Sequence, residues 1–217
     1  MKPHVVRDDS GGYWWKTNAS KLKPYCTSTV WKDMRPNVPK INWHHMVWFP
    51  QVTLKHAFII WLALKGRLST QDRLMLWYPQ ETFKCSLCGQ CEDSHSHLFF
   101  KCDFSSQLWE KTKQMLVYKG RSNDLQSIIS DLIQYTSIKD IRNVLNKIAI
   151  AAAVYYVWME RNNRLFKNVR KSVDAVYAEL RSFIRMKLSS LKVKNNPNVQ
   201  MVARLSGMQI VGNHLQM

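Results

Sequence analysis

The sequence has few of the residues that break helices and form tight turns. Only seven glycines and seven prolines occur in 217 residues, which disfavours an architecture of many short strands joined by turns. Hydrophobic side chains make up 46% of the chain and aromatic side chains 12%, so the composition excludes an intrinsically disordered protein. We therefore expect a folded, mainly α-helical protein.

Acidic residues are also scarce. Fifteen Asp and Glu accompany 32 Lys and Arg, which gives a formal net charge of +17 and a pI near 9.8. Such a balance favours polyanionic partners, nucleic acid before an anionic membrane. A solvated basic surface or an acidic protein partner would account for the charge as well.

Long apolar runs and export signals are missing. The most apolar stretch, Ile148 to Trp158, has 11 residues, whereas a membrane-spanning helix needs about 20. The first residues contain no hydrophobic segment typical of a signal peptide, and five cysteines is an odd number that argues against a disulfide framework. We expect a soluble intracellular protein without membrane contacts, in the nucleus rather than the cytoplasm.

Four of the five cysteines lie close together, and their spacing is typical of a metal site. Two residues separate Cys85 from Cys88, and His97 and Cys102 follow within the next 14 positions. Three thiolates and one imidazole are a ligand set that Zn²⁺ accepts in tetrahedral geometry. A redox dithiol would need no further ligands nearby. Four protein ligands leave no position for water, so we predict one structural Zn²⁺.

Two neighbouring side chains compete for places in this site. His95 is an alternative to His97, although it would project from a different side of a helix. Cys91 lies just beyond the turn, where a third adjacent thiolate would crowd the ion, and we interpret it as a bystander.

The residues around this motif resemble the reverse transcriptase zinc-binding domain, found near the C-terminus of plant LINE-type non-LTR retrotransposon proteins and their derived fragments. The resemblance covers roughly residues 28–115. It is carried by Trp43-x₄-Trp48-Phe49, Lys55-His56-x₄-Trp61-Leu62-Ala63-Leu64-x-Gly66-Arg67-Leu68-x-Thr70-x-Asp72-Arg73-Leu74, Cys85-x-Leu87-Cys88, Glu92-Asp93, His97-Leu98-Phe99-Phe100-x-Cys102 and Trp109. The segment from Trp158 to Phe166 is similar to what commonly follows that domain.

The resemblance implies that Cys85, Cys88, His97 and Cys102 hold the zinc. It also implies a role beside a reverse transcriptase, where the domain would grip element RNA or target DNA. The chain departs from a full element because it has no Tyr/Phe-x-Asp-Asp polymerase motif and no RNase H or endonuclease carboxylate set. We therefore expect an accessory module that is not an enzyme and has no small-molecule substrate.

A basic region follows the metal motif. Between residues 161 and 194 there are ten basic and two acidic residues, at helical spacing. We predict non-specific phosphate contacts with RNA or DNA. The predicted contact residues are Arg161, Arg164, Lys167, Arg170, Lys171, Arg181, Arg185 and Lys187. The alternatives are a helical protein-interaction scaffold, self-association, or a non-functional remnant of a retroelement.

These observations predict four regions. Residues 1–27 are a partly ordered lead-in, 28–115 the zinc-binding domain, 121–194 a basic helical region and 195–217 a loose tail. Within them, apolar periodicity and capping residues predict helices over about 52–65, 69–77, 94–101 and 103–116. Two longer helices are also predicted, one capped by Ser137 and Asp140 and one opening at Ser172. In the helix over about 52–65, the apolar stripe is expected to pack in the core rather than to form a platform on which bases stack. It consists of Leu54, Ala57, Phe58, Trp61 and Leu64.

Overall fold

The computed structural model describes residues 5–8, 11–36, 41–74, 84–118, 120–134 and 140–216. The chain divides into two compact units, residues 1–41 and residues 42–217. Helices dominate the described residues, so the predicted mainly α class is confirmed.

The first unit contains a three-stranded antiparallel sheet and one helix. Its strands are β1 (Val5–Arg7), β2 (Tyr13–Lys16) and β3 (Leu22–Pro24) in the order β1-β2-β3, followed by α1 (Thr27–Met34). Trp15, on the central strand, is buried and donates its indole N–H to Asp33 of α1 at 2.8 Å. The sheet, which lies in the predicted lead-in, is thereby joined to a helix that extends beyond residue 27.

The second unit is built from nine helices and a terminal hairpin among its described residues. The helices are α2 (His44–Val47), α3 (Leu54–Leu64), α4 (Gln71–Leu74), α5 (His95–Leu98), α6 (Asp103–Lys113), α7 (Leu125–Gln134), α8 (Ile141–Lys167), α9 (Val173–Ser189) and α10 (Pro197–Ser206). The hairpin strands are β4 (Gln209–Val211) and β5 (His214–Gln216). The remainder of the predicted helix over 69–77 lies outside the described residues.

Helix α8 is the centre of the second unit. It contacts α2, α3, α6, α9 and α10, and residues 148–154 are all buried because helices cover it on several sides. Asp140 caps its start by accepting from the backbone N–H of Arg142, and Asn168 ends it in a left-handed conformation. Among the described helices, α8 included, no apolar stretch is long enough to cross a bilayer. Within the second unit, buried residues from 46–118 and from 125–215 belong to one hydrophobic core.

Helix α3 turns only part of the predicted face to the core, since Ala57 and Leu64 are buried as expected but other members of that face are not. Its buried residues are His56, Ala57, Ile60, Ala63 and Leu64, whereas Leu54 is 75% exposed and Phe58 51% exposed. The prediction that Leu54 and Phe58 lie in the core was therefore wrong. The physical reason is that α3 is apolar on nearly every side, so its packing against α8 decides which side is buried.

The prediction of a loose tail over 195–217 does not describe residues 197–216, most of which form a helix and a hairpin. Asn196 caps α10 by accepting from the N–H of Val199, and Pro197 occupies the first helical turn. The hairpin after α10 places Leu215 in the core with no exposed surface. Backbone pairing of Lys192 with His214 ties this hairpin to the segment after α9.

Candidate metal centre and basic surface

The turn that carries Cys85 and Cys88 is held by backbone hydrogen bonds. The N–H of Cys85 donates to the carbonyl of Cys91 at 2.7 Å, and the N–H of Gly89 donates to the carbonyl of Cys85 at 2.7 Å. Gly89 has φ of +71°, a left-handed conformation that glycine adopts without steric cost. The chain therefore curls around a point to which both thiols are directed.

His97 and Cys102 reach the same point from α5 and the start of α6. Ser94 caps α5 by accepting from the N–H of His97, and the N–H of Cys102 donates to the carbonyl of His97 at 2.8 Å. Between them Phe100 has φ of +79°, which is unusual for an aromatic residue. Its N–H donates to the hydroxyl of Ser105, and its ring stacks on Trp109. These contacts stabilise the change of chain direction at Phe100, which brings Cys102 back to the position of His97.

The four ligand atoms have the spacing of a tetrahedral zinc site. All lie within 4.8 Å of one another. The sulfurs of Cys85 and Cys102 are 3.9 Å apart, and Cys88 Sγ lies 3.3 Å from His97 Nε2. Zn–S and Zn–N bonds of ordinary length place such atoms about 3.8 Å and about 3.6 Å apart around a tetrahedron. The residues fit one Zn²⁺, and their four donors complete its coordination.

The electrostatics of the site also favour a cation. The hydrogen bond from Cys102 lowers the pKa of the Cys85 thiol to about 5, and the same pairing raises the pKa of Cys102. Two adjacent thiolates repel each other, and a divalent cation removes that repulsion while displacing the remaining proton. Both thiols are buried, which strengthens the interaction with the ion.

The two competing side chains point elsewhere. His95 accepts from the N–H of Leu68 at Nε2, and its Nδ1 lies 3.1 Å from the hydroxyl of Thr70. Both ring nitrogens therefore join α5 to the segment after α3. Cys91 is exposed and outside the cluster. The choice of His97 over His95 is confirmed by the cluster.

Arg161 was predicted to contact phosphate, but the structure buries it and gives it a different role. It is 1% exposed, and its Nε and Nη2 both donate to Oδ2 of Asp93, the former at 3.1 Å. Asp93 is itself fully buried and accepts from the N–H of Gln71 at 3.0 Å. A guanidinium neutralised inside the core is inaccessible to nucleic acid, so we exclude Arg161 from the basic surface.

The prediction that Arg164 contacts phosphate is also wrong, because its side chain is largely buried and bonded within the protein. It donates to the carbonyl of Leu87 at 2.8 Å, inside the zinc-binding turn, and forms an ion pair with Glu160 at 2.7 Å. Its guanidinium lies 4.5 Å from the ring centre of Phe104. The hydroxyl of Ser86 adds a bond to the carbonyl of Arg161. The end of α8 is therefore anchored to the zinc-binding turn.

The other six predicted basic residues lie nearer to solvent. Lys167, Arg170 and Arg181 are exposed, and Lys187 is half-buried. Lys171 pairs with Glu179 at 2.5 Å, and Arg185 donates to the carbonyl of Gly207 at 2.8 Å. We call Lys167, Arg170, Arg181 and Lys187 together the α8–α9 basic surface, which extends to two sides of α9, because Arg181 lies near Gly207 and Lys187 near His56.

Sequence reasoning missed the supporting residues around the metal site. Asp93 and Ser86 join it to α8, yet neither follows from ligand spacing. Asp93 was among the residues that carried the family resemblance, which was the one signal that pointed to it. No role could be assigned because its partner lies 68 positions away.

Comparison with known proteins supports the metal site. Residues 25–109 match the family model described as zinc-binding in reverse transcriptase. The match begins in the first unit and ends within α6. No curated protein and no solved structure matches the chain.

Proposed function

Residues 25–109 belong to the reverse transcriptase zinc-binding family, and on that premise we propose that this chain is a non-catalytic, zinc-stabilised module that binds nucleic acid beside a reverse transcriptase. The metal has a structural role in this proposal. It fixes the turn at 85–88 against α5 and α6 and, through that turn, the end of α8.

The observation that carries the proposal is the charge of the α8–α9 basic surface. The two acidic residues between 161 and 194 are both already paired, Asp174 with Lys111 at 2.8 Å and Glu179 with Lys171 at 2.5 Å. The exposed cations nearby are therefore not offset by those carboxylates. Such a surface attracts phosphates with little sequence preference.

The apolar faces that motivated the scaffold hypothesis are used inside the molecule. Helices α8 and α9 pack against each other, and Val176, Leu180, Ile184 and Leu188 of α9 are buried. Amphipathic helices that cover each other do not require a protein partner.

The test measures binding of a labelled single-stranded RNA by fluorescence anisotropy over a range of salt concentrations. We expect the affinity to fall as salt rises. Replacing the four residues of the α8–α9 basic surface with glutamine should lower the slope of log K against log salt by about 0.7 for each phosphate that the variant no longer neutralises.

The control makes the same change in charge elsewhere. Lys16, Lys21, Lys23 and Lys32 of the first unit are all exposed, and their replacement by glutamine removes four positive charges. An equal fall in affinity in both variants would show that the α8–α9 basic surface is not the binding site. An affinity that does not depend on salt would contradict the proposed function itself.

A further inference from the structure

Helix α3 presents an apolar stripe to solvent. Leu54, Phe58 and Trp61 are four and three residues apart, so they follow one face of the helix. The first two are exposed, and Trp61 is partly buried. The rings of Phe58 and Trp61 lie 5.9 Å apart with 31° between their planes. Large aromatic side chains exposed side by side indicate a binding surface.

Positive charge gathers where this stripe ends. Lys65, Arg67 and Arg73 are exposed, and Nη1 of Arg73 lies 3.4 Å from the carbonyl of Gly66, which brings the three cations around one turn. Lys65 Nζ also lies 5.7 Å from the ring centre of Trp43. Between residues 54 and 74 four basic residues accompany a single acidic one, Asp72.

We propose that the α3 stripe and its three cations bind single-stranded nucleic acid, with unpaired bases stacked on Phe58 and Trp61. Lys65, Arg67 and Arg73 would neutralise the phosphates of the same strand. Exposed aromatic rings next to a basic groove are how proteins hold single strands without sequence preference. The inference rests on the proposed function and deepens it, because it adds contacts to bases made by residues that do not belong to the α8–α9 basic surface.

Charge complementarity selects this occupant over a protein segment. The cations at the end of the stripe are not balanced by an equal number of carboxylates, as expected of a surface that meets a polyanion. A duplex is not expected to bind in this way, because its bases are already stacked and paired with each other and cannot stack on Phe58 and Trp61.

Two substitutions at one exposed position separate stacking from general apolar contact. Phe58→Leu keeps an apolar side chain but removes the ring, whereas Phe58→Tyr keeps the ring. We expect Phe58→Leu to weaken binding of a labelled oligouridine by about 5-fold or more, and Phe58→Tyr to stay within about 2-fold of wild type. The salt dependence of binding should be unchanged in both, because neither alters charge.

The outcomes distinguish this inference from the proposed function. If wild type binds oligouridine with a salt-dependent affinity but Phe58→Leu and Phe58→Tyr bind equally well, the stacking site is refuted and the proposed function stands. If Phe58→Leu weakens duplex RNA as much as oligouridine, stacking of unpaired bases is refuted as well. If wild type binds neither nucleic acid, both proposals fail. Equal thermal midpoints of the three proteins would show that the comparison is not affected by folding.

Discussion

Replacing Arg161 with methionine removes a cation from the interior of the second unit while keeping a side chain of similar length. The change leaves Asp93 buried without the two N–H donors of its guanidinium partner. Asp93 would retain the bond from the N–H of Gln71, and its Oδ1 has no hydrogen-bond partner among the described residues even in the native protein. We expect a large decrease in stability.

The magnitude follows from the burial of both partners. Asp93 is 0% exposed and Arg161 1% exposed. Removing one member of a buried ion pair costs about 3–5 kcal/mol, because the remaining charge is neither solvated nor paired. A double variant that carries Asp93→Asn together with Arg161→Met lacks that charge but keeps a side-chain oxygen that accepts from the backbone N–H of Gln71. The double variant should therefore recover most of the stability, and the two substitutions should be strongly non-additive.

Urea unfolding followed by helical circular dichroism, with zinc present, measures the effect. With a slope of about 3 kcal/mol per M, the midpoint of Arg161→Met should fall by roughly 1–2 M. Arg170→Met is the matched control, because Arg170 is exposed and its replacement should change stability by no more than about 0.5 kcal/mol.

The opposite pattern would refute this reasoning. If Arg161→Met unfolds at the wild-type midpoint and weakens RNA binding as much as Arg170→Met, then Arg161 contacts phosphate, as its sequence context alone suggested. A double variant no more stable than Arg161→Met would show that the buried charge of Asp93 is not the source of the instability.

Three further predictions address the metal, the core and the pH dependence. Metal analysis of purified protein should find one zinc per chain in wild type and in Cys91→Ser but less than one in His97→Ala. The reason is that His97 belongs to the ligand cluster and Cys91 does not. Equal zinc contents in all three proteins would exclude the assigned site. Leu180→Ala should lower the free energy of unfolding by about 2–5 kcal/mol, whereas Leu54→Ala, at a position 75% exposed, should change it by less than about 0.5 kcal/mol. Burial, reinforced by two nearby lysines, lowers the pKa of His56 to about 4, below its unfolded value of about 6.5, so stability should fall by up to about 3 kcal/mol as pH drops from about 6.5 to about 4. His56→Phe should lack this component in urea titrations at successive pH values; parallel decreases in both proteins would refute it.

Features encoded by neighbouring residues could be predicted from the sequence. Ser172 caps α9 and Asp140 caps α8 as expected, because a cap is decided within one helical turn. Ser137, also predicted to cap α8, lies outside the described residues. The ligand set is also short in range, with all four side chains within 18 residues of chain. The formation of α10 could also have been predicted locally, from Asn196-Pro197 at its start and Gly207 after its end. The prediction of a loose tail overlooked these residues.

Features decided by distant contacts could not be predicted. The exposed face of α3 depends on where α8 packs, since apolar periodicity does not discriminate between faces of a helix that is apolar nearly all round. Arg161 and Arg170 are both arginines in a basic segment, yet one is buried against Asp93 and the other is exposed. The difference is the position of a carboxylate that is remote in sequence.

The metal site and helix α8 stabilise each other, which bears on how far the zinc-binding domain extends. The match to the family ends at residue 109, but α8 holds the turn at 85–88 from outside that range. The hydroxyl of Ser86 donates to the carbonyl of Arg161, and Arg164 donates to the carbonyls of Ser86 and Leu87. Zinc binding requires that this turn keep its shape, because a ligand atom displaced by a few tenths of an ångström no longer has the bond length and angle of tetrahedral coordination. The ion in turn ties that turn to α5 and α6, so removal of either support weakens the other. The residues that hold the zinc-binding turn in place therefore include the C-terminal end of α8, which also carries Lys167 of the α8–α9 basic surface.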